Sequence, residues 1–454
     1  MPKKKTALTI EERLQQALVP AEEQPYEVPE NWVWVRLGSL YEVNPKNKAA
    51  DELDAAFIPM EKISAGMLSE YSYETQEWCK AKKGHTQFAD GDVAFAKISP
   101  CFENRKSMML NNLPNSIGGG TTELIILRNA SINQKYTFWL VSDERFIRGG
   151  VQTYSGTVGQ QRINMDYVRS YPIPLPPLSE QQRIVERSEE LFAKLDEAKE
   201  RLQEVVDSFA VRKAAILHKA FTGELTKQWR RENGVSGESW EEVTLKELSS
   251  VIGDGLHGTP VYSEDGDYYF INGNNFDDNF IAIKESTKRV SIEEYKKYAV
   301  NLNDSTVFLS INGTLGKTAF YNGEPVILGK SACYINVGEK LDKRFLKEMF
   351  HTNAFINYAN QKATGSTIKN LGLKAIREYL VYLPSLPEQH EIVRLIDDLL
   401  ARERAAQQAA EQALASIDLM KKSILARAFR GELGTNKASE ASALELLKQV
   451  LAEN

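Results

Sequence analysis

The sequence predicts a mixed α/β (α+β) protein made of two copies of one plan. Each copy is a globular domain followed by a long helix, and the two helices pair as an antiparallel coiled coil in a pseudo-twofold repeat. Three observations predict this. Residues 178–225 align with 386–433 without a gap, with 17 identities in 48 positions. A fainter echo, W-x-x-V-x-L-x-x-L, links Asn31–Leu40 to Ser239–Leu248 at the same offset of 208 residues. Both aligned segments carry apolar residues at helical spacing.

The matched helices come first. The first copy places Ile184, Leu191, Leu195, Ala198, Leu202, Val205, Phe209 and Ile216 on one stripe. The second places Ile392, Ile396, Leu399, Ala406, Ala410, Ala413, Ile417, Met420 and Ile424 there. This is close to a heptad pattern. Pro172, Pro174, Pro176 and Pro177 precede one copy, and Pro384 and Pro387 fall at the start of the other. Ser179 with Gln182, and Ser385 with Glu388, have the spacing of a capping box. Gly223 and Gly431 fit the far ends, within the repeated hexapeptides AFTGEL and AFRGEL. A helix of about 40 residues is roughly 60 Å long and has no core of its own. Equal length in both copies keeps a pair in register.

The variable regions, roughly 28–175 and 238–380, read as compact mixed domains. Strand-like runs are Asp92–Ile98, Glu123–Leu127, Thr306–Ile311 and Ala332–Val337, bounded by Gly, Asn and Asp turn signals. Residues 134–149 and 344–360 each read as one helix.

Composition bounds the function. The chain has 454 residues, enough for several domains with ample core. The N-terminal MPKKKTALTIEERLQQ is basic without an apolar core and no apolar run reaches spanning length, so neither secretion nor a membrane role is expected. Cys79, Cys101 and Cys333 are scattered and odd in number, and read as free thiols of a cytoplasmic protein. A net charge of −6 argues weakly against a lone nucleic-acid binder, but leaves room for a local basic face or a cationic partner.

Catalytic patterns are missing from the sequence. The five histidines are dispersed, and neither HExxH, Cys/His metal spacing nor GxSxG occurs. GTLGKT at Gly313–Thr318 lacks the spacing of a phosphate-binding loop. No cofactor or metal site is expected, and the chain reads as a binder.

Polar glycine-rich loops carry the functional signal. YSGTVGQQRI (Tyr154–Ile163) and ATGSTIKNLG (Ala363–Gly372) sit at matching places shortly before the proline-rich stretches. KISPCFENRK (Lys97–Lys106) corresponds to SINGTLGKTAF (Ser310–Phe320), and IGDGLHGTPVY and INGNNF are of the same kind. Glycine permits close backbone approach. Asn and Gln match adenine edges, and Arg and Lys match guanine or phosphate. The candidate DNA-contacting residues are Lys97, Asn104, Arg105, Thr157, Gln160, Gln161 and Arg162 in the first domain. In the second they are His257, Thr259, Asn274, Asn275, Asn312, Lys317, Ser366, Thr367, Lys369 and Asn370.

The motif L-[SP]-E-Q-x-x-I-V after prolines, then a long helix, then K-x-x-I-L-x-x-A-F-x-G-E-L, all given twice, resembles the specificity subunits of type I restriction–modification systems. The resemblance covers nearly the whole chain. It implies an N-terminal extension (1–27), a first target-recognition domain (28–177), a conserved helical region (178–225) and a linker (226–237). A second target-recognition domain (238–385), a second conserved helical region (386–433) and a tail helix (434–454) follow. It also implies a non-catalytic subunit that reads double-stranded DNA. Such a subunit recruits two modification (methyltransferase) subunits and, in the full complex, two restriction subunits. A protein-binding scaffold or decoy subunit is the alternative. The segment before Glu30 and the tail 438–453 are expected to pack near each other or on a partner.

Overall fold

The computed structural model describes residues 9–157, 159–236, 239–365 and 367–453. It divides into two compact units: one runs to Arg201 and resumes at Ala413, and the other is Leu202–Gln412.

Both units follow one plan. In the first, an antiparallel sheet has the spatial order Glu42–Val43, Leu124–Arg128, Val93–Ala96, Ser107–Met109. A second sheet has the order Glu74–Glu77, Asp54–Ile58, Ile117–Gly120, Thr86–Ala89, with its central pair parallel. A ribbon of Val33–Arg36 against Pro172–Leu175 joins the entry and exit of the domain. The second unit repeats the first sheet as Ser249–Asp254, Ala332–Val337, Thr306–Ser310, Thr318–Phe320. Its other sheet is Arg289–Val290, Tyr268–Ile271, Val326–Leu328, again with one parallel pair, and Glu241–Thr244 pairs Leu380–Leu383.

The central strands are apolar because both faces are covered: every residue of Val93–Ala96 and Thr306–Ser310 is buried. The strand Ile117–Gly120 needs its glycines for space. A Cβ on Gly119 would stand 2.0 Å from the Ala81 carbonyl oxygen, and one on Gly118 would stand 2.1 Å from the Phe88 ring.

Each domain helix expected to be single is two. Gln134–Ser142 and Glu144–Val151 part at Asp143, whose carboxylate accepts from the Arg145 amide. Lys343–Phe350 and Asn353–Lys362 part at Thr352, whose hydroxyl accepts from the Phe355 amide. A residue with a short polar side chain supplies an N-cap where the helix would otherwise continue.

The repeat segments form Leu178–Asp207 and Phe209–Phe221 in the first copy and an unbroken Leu386–Ala428 in the second. The first breaks at Ser208, where the hydroxyl bonds back to the Glu204 carbonyl and receives the Arg212 guanidinium. Such back-bonding bends helices. The proposed capping boxes do not form. Gln182 reaches Glu186 and Asn133, and the Glu388 carboxylate points into the interior.

Within each unit the long helices run antiparallel to one another. In the first, Ile184 and Val185 share a core with Leu425 and Ala428, and Asp196 pairs with Lys421 at 2.6 Å. In the second, Leu217 and Ala220 share a core with Ile392 and Ile396, and Arg212 pairs with Glu403 at 2.6 Å. The chain ends also meet in the first unit. Helix Ile10–Ala17 packs on helix Ala443–Glu453, and Arg13 donates to the Leu451 carbonyl at 3.0 Å.

The Glu-Gln of the repeated motif is wholly buried in both copies. Gln181 accepts from the Asn133 amide and donates to the Pro176 carbonyl; Gln389 accepts from the Asp342 amide and donates to the Pro384 carbonyl. It thereby fixes the start of the domain helix against the proline-rich stretch. Glu180 accepts from the Trp32 indole at 2.7 Å, from Asn436 at 2.8 Å and from Thr435 at 3.3 Å. Glu388 accepts from Thr226 at 2.7 Å and Arg230 at 2.6 Å. Apart from Trp32, these donors follow the two A-F-x-G-E-L hexapeptides. Gly223 and Gly431, at φ +75 and +73, end the helices in the left-handed conformation and turn the chain toward the buried glutamate.

Candidate nucleic-acid interface

In the second domain five loops converge at one edge. The Leu256 amide donates to the Leu328 carbonyl, and Gly329 donates to Ile271. Ser331 ties the next pair together, accepting from the Gly273 amide at its hydroxyl and from the Ile311 amide at its carbonyl. Leu371 then donates to Ile311, and Gly313 to Lys369. Asn312 and Thr364 both bridge Asn370. The four glycine-rich segments singled out in this half of the sequence are thus brought together by backbone hydrogen bonds.

Their side chains divide by role. Asn274, Thr259, Lys317 and Thr367 are exposed. Lys317 has no carboxylate partner among the described residues. Lys369 is exposed and holds the Asn360 amide oxygen. His257 is exposed and contacts Asp254 at 2.7 Å. Asn275 is turned inward: its side chain accepts from Asn272 and donates to the Ala282 carbonyl, so it shapes the loop. Asn312 and Asn370 are half-buried at the bridge, and Ser366 lies outside the described residues.

The first domain repeats the arrangement. Ile98 and Ser155 both bridge Arg162, as Asn312 and Thr364 bridge Asn370. Ser99 donates to the Gln161 carbonyl at 2.8 Å, and Ile163 to the Lys97 carbonyl at 3.0 Å. Arg162 and Asn370, 208 residues apart, occupy one position in the two copies. Thr157, Gln160 and Asn104 are exposed, and Lys97 and Gln161 half-exposed. Arg162 forms a two-pronged pair with Glu123, at 2.9 and 2.7 Å, which raises its already high pKa and occupies part of its donor set. Arg105 is placed differently from these. Its guanidinium is mostly buried and held by Glu144 and the Ser142 carbonyl, so it braces the domain instead of facing a ligand.

Two residues at this edge escaped the sequence reading: Ser331, which joins two loops, and the exposed Lys330 beside it. Their Gly-Lys-Ser context carries a turn signal but no functional pattern. Among the described residues no group of acidic, His or Cys side chains is placed to hold a metal ion. No helix among them is long and apolar enough to cross a membrane.

Comparison with known proteins decides the family. The domain described as "Type I restriction modification DNA specificity domain" matches residues 29–207 and again 237–413. The chain belongs to the type I restriction modification DNA specificity family. Among specificity-family relatives, the EcoAI specificity subunit of Escherichia coli is 41% identical over 182 residues, 39% of this chain and 31% of that protein. The EcoEI subunit is 38% identical over 29% of its length, so the chain spans about a third of these relatives. The EcoDI subunit is 25% identical over 71% of this chain and 77% of its own. In fold, the specificity chain resembles the HsdS subunit of Thermoanaerobacter tengcongensis. The TM-score is 0.65 at 20% identity, covering 90% of this chain and 99% of that one.

Proposed function

We propose that this chain is the DNA-reading subunit of a type I restriction–modification complex, with each domain reading one half of a bipartite, asymmetric site on double-stranded DNA. The observation that carries this reading is the doubled loop edge. Both copies build the same bridge from the same elements, with Arg162 on it in one copy and Asn370 in the other. Arg suits guanine and Asn suits adenine, so the half-sites differ. The long helices set the spacer between the halves.

The chain is a non-catalytic cytoplasmic subunit in this reading, needing no cofactor of its own. It docks two modification subunits and, in the complete assembly, two restriction subunits. Exposed apolar side chains at matched repeat positions support two equivalent docking places. Leu178 and Leu386 are 48% and 37% exposed, and Val211 and Leu419 are 71% and 69% exposed. Their exposure in both copies fits a surface that a partner covers.

Genome-wide methylation mapping tests this, in cells carrying the chain with a modification subunit against cells lacking it. The expected result is a new two-part, non-palindromic methylated motif. Its absence, with both proteins associated, would favour a scaffold or decoy.

A further inference from the structure

The duplicated chain provides an internal comparison at the foot of its domain helices. In the first unit, Phe138 and Trp139 are buried, and Trp139 packs edge-on against Phe192 at 5.5 Å. Asp196 pairs with Lys421 beside them. The matched N-caps of the domain helices, Asn133 with Asp342 and Asp143 with Thr352, set Phe138 and Trp139 against Lys347 and Glu348 at an offset of 209, while the 208-residue offset of the long helices sets Phe192, Asp196 and Lys421 against Leu400, Arg404 and Lys213. The flanking residues confirm the alignment: Tyr136 and Phe345 match, as do Phe146 and Phe355, all fully buried. An ion pair between domain helix and long helix is kept too, Lys135–Glu189 in one copy and Arg344–Asp397 in the other.

The aromatic filling is therefore replaced, in the second unit, by a polar cavity of about 320 Å3. Lys347 and Glu348 form its wall, 9% and 5% exposed, and pair at 2.7 Å. Lys347 also donates to Asn279 at 3.0 Å. A buried ion pair is seldom worth more to stability than well-packed apolar side chains of similar volume. The first unit holds its fold with the apolar version, so the fold does not require the charged one. Asp196, the acid that neutralises Lys421, is replaced by Arg404. Among the described residues, neither Arg404 nor Lys213 has a carboxylate at ion-pair distance. Four cations and three carboxylates line the space, with His351 at its edge.

We propose that this cavity binds a phosphate-class oxyanion between Lys213 and Arg404, with Lys347 as the buried donor at its wall. Two unpaired cations match a doubly charged tetrahedral anion, and a guanidinium addresses two of its oxygens at once. The same chemistry is offered by a free phosphate compound and by a nucleic-acid backbone. The site does not depend on the reading of the loop edge as the sequence reader.

Calorimetric titration of the full chain with inorganic pyrophosphate is the test. Saturable binding is expected. The K213Q/R404Q double variant should weaken it at least about tenfold, or 1.4 kcal/mol. K421Q, at the matched place in the first unit, should leave it unchanged. Leu400→Phe, which restores the bulk of Phe192 without altering charge, should also weaken binding and decides the matter if the double variant misfolds. Duplex DNA added in excess identifies the source: displacement of pyrophosphate points to backbone phosphate, and its retention to a free phosphate compound. No saturable binding, or equal affinity in parent and L400F, overturns the proposal.

Discussion

Thr226 Oγ1 donates to Glu388 Oε1 at 2.7 Å across 162 residues of sequence. In the other unit Thr435 Oγ1 stands 3.3 Å from Glu180 Oε1. The segment after the first long helix thus seals the unit built on the second recognition domain, and the segment after the second helix seals the unit built on the first. A short hexapeptide repeated far apart makes sense on these terms. Alanine and phenylalanine pack the helix end, glycine reverses the chain, and the residues beyond deliver donors to a buried carboxylate.

The two glutamates differ in what they neutralise. Glu388 faces the Arg230 guanidinium, 11% exposed, whereas Glu180 is held by neutral donors. Glu388→Ala leaves a buried cation without its partner and should cost about 3–5 kcal/mol. Glu180→Ala leaves neutral donors unsatisfied, at about 1–3 kcal/mol for each group. Urea denaturation of both variants measures the difference, and a larger loss for E180A would contradict this account.

The arginines and lysines of the loop edge should separate cleanly. Lys317→Ala removes an exposed, unpaired cation and should lower the slope of log affinity for DNA against log salt by about 0.9. Arg105→Ala should leave that slope intact. It should instead destabilise the first unit by about 2 kcal/mol, since it removes charge-assisted bonds to Glu144. A salt titration of DNA binding, paired with thermal melts, distinguishes the two outcomes.

That contrast marks what was legible in the sequence. Periodicity gave the long helices, and gapless self-alignment gave the two-copy plan, because both are statements about spacing. Loop composition located the polar edge, since glycine and asparagine signal turns wherever they fall. Which side chain faces outward was not legible. Arg105 and Lys317 are alike in type and in loop context, and only the position of Glu144, distant in sequence, turns one of them inward. The helix breaks at Asp143 and Thr352 were missed for a related reason: a cap residue acts within one turn, while the surrounding apolar pattern continues through it. The burial of the repeated Glu-Gln was not legible because its donors lie between 47 and 256 residues away in the sequence.

Acid should loosen the second unit through Glu348. Burial alone would raise its pKa, but the His351 hydrogen bond and the Lys347 charge outweigh that and hold it at about 2, below the ordinary 4.5. A carboxyl depressed in the folded state stabilises fully above its unfolded value. That contribution is lost as pH falls from about 4.5 through 2. Glu348→Gln should remove this part of the acid sensitivity, so that parent and variant differ in stability at neutral pH and converge near pH 2. Denaturation curves collected over that range check it, and parallel curves would contradict the assignment.

The helices as the element that sets the spacer give the most direct functional prediction. Inserting about four residues, one turn, at facing positions of both long helices lengthens each by about 6 Å. Duplex DNA rises 3.4 Å per base pair, so the preferred spacer should grow by about two base pairs. The half-site sequences should not change, because the loop edges carrying Arg162 and Asn370 are untouched. An insertion in one helix alone breaks the register of the pair and should abolish modification instead of shifting it. Methylation mapping of the three chains reads all of this at once. A lengthened pair that still modifies the original spacer would show that the distance is set elsewhere, by the partner subunits or by the DNA itself.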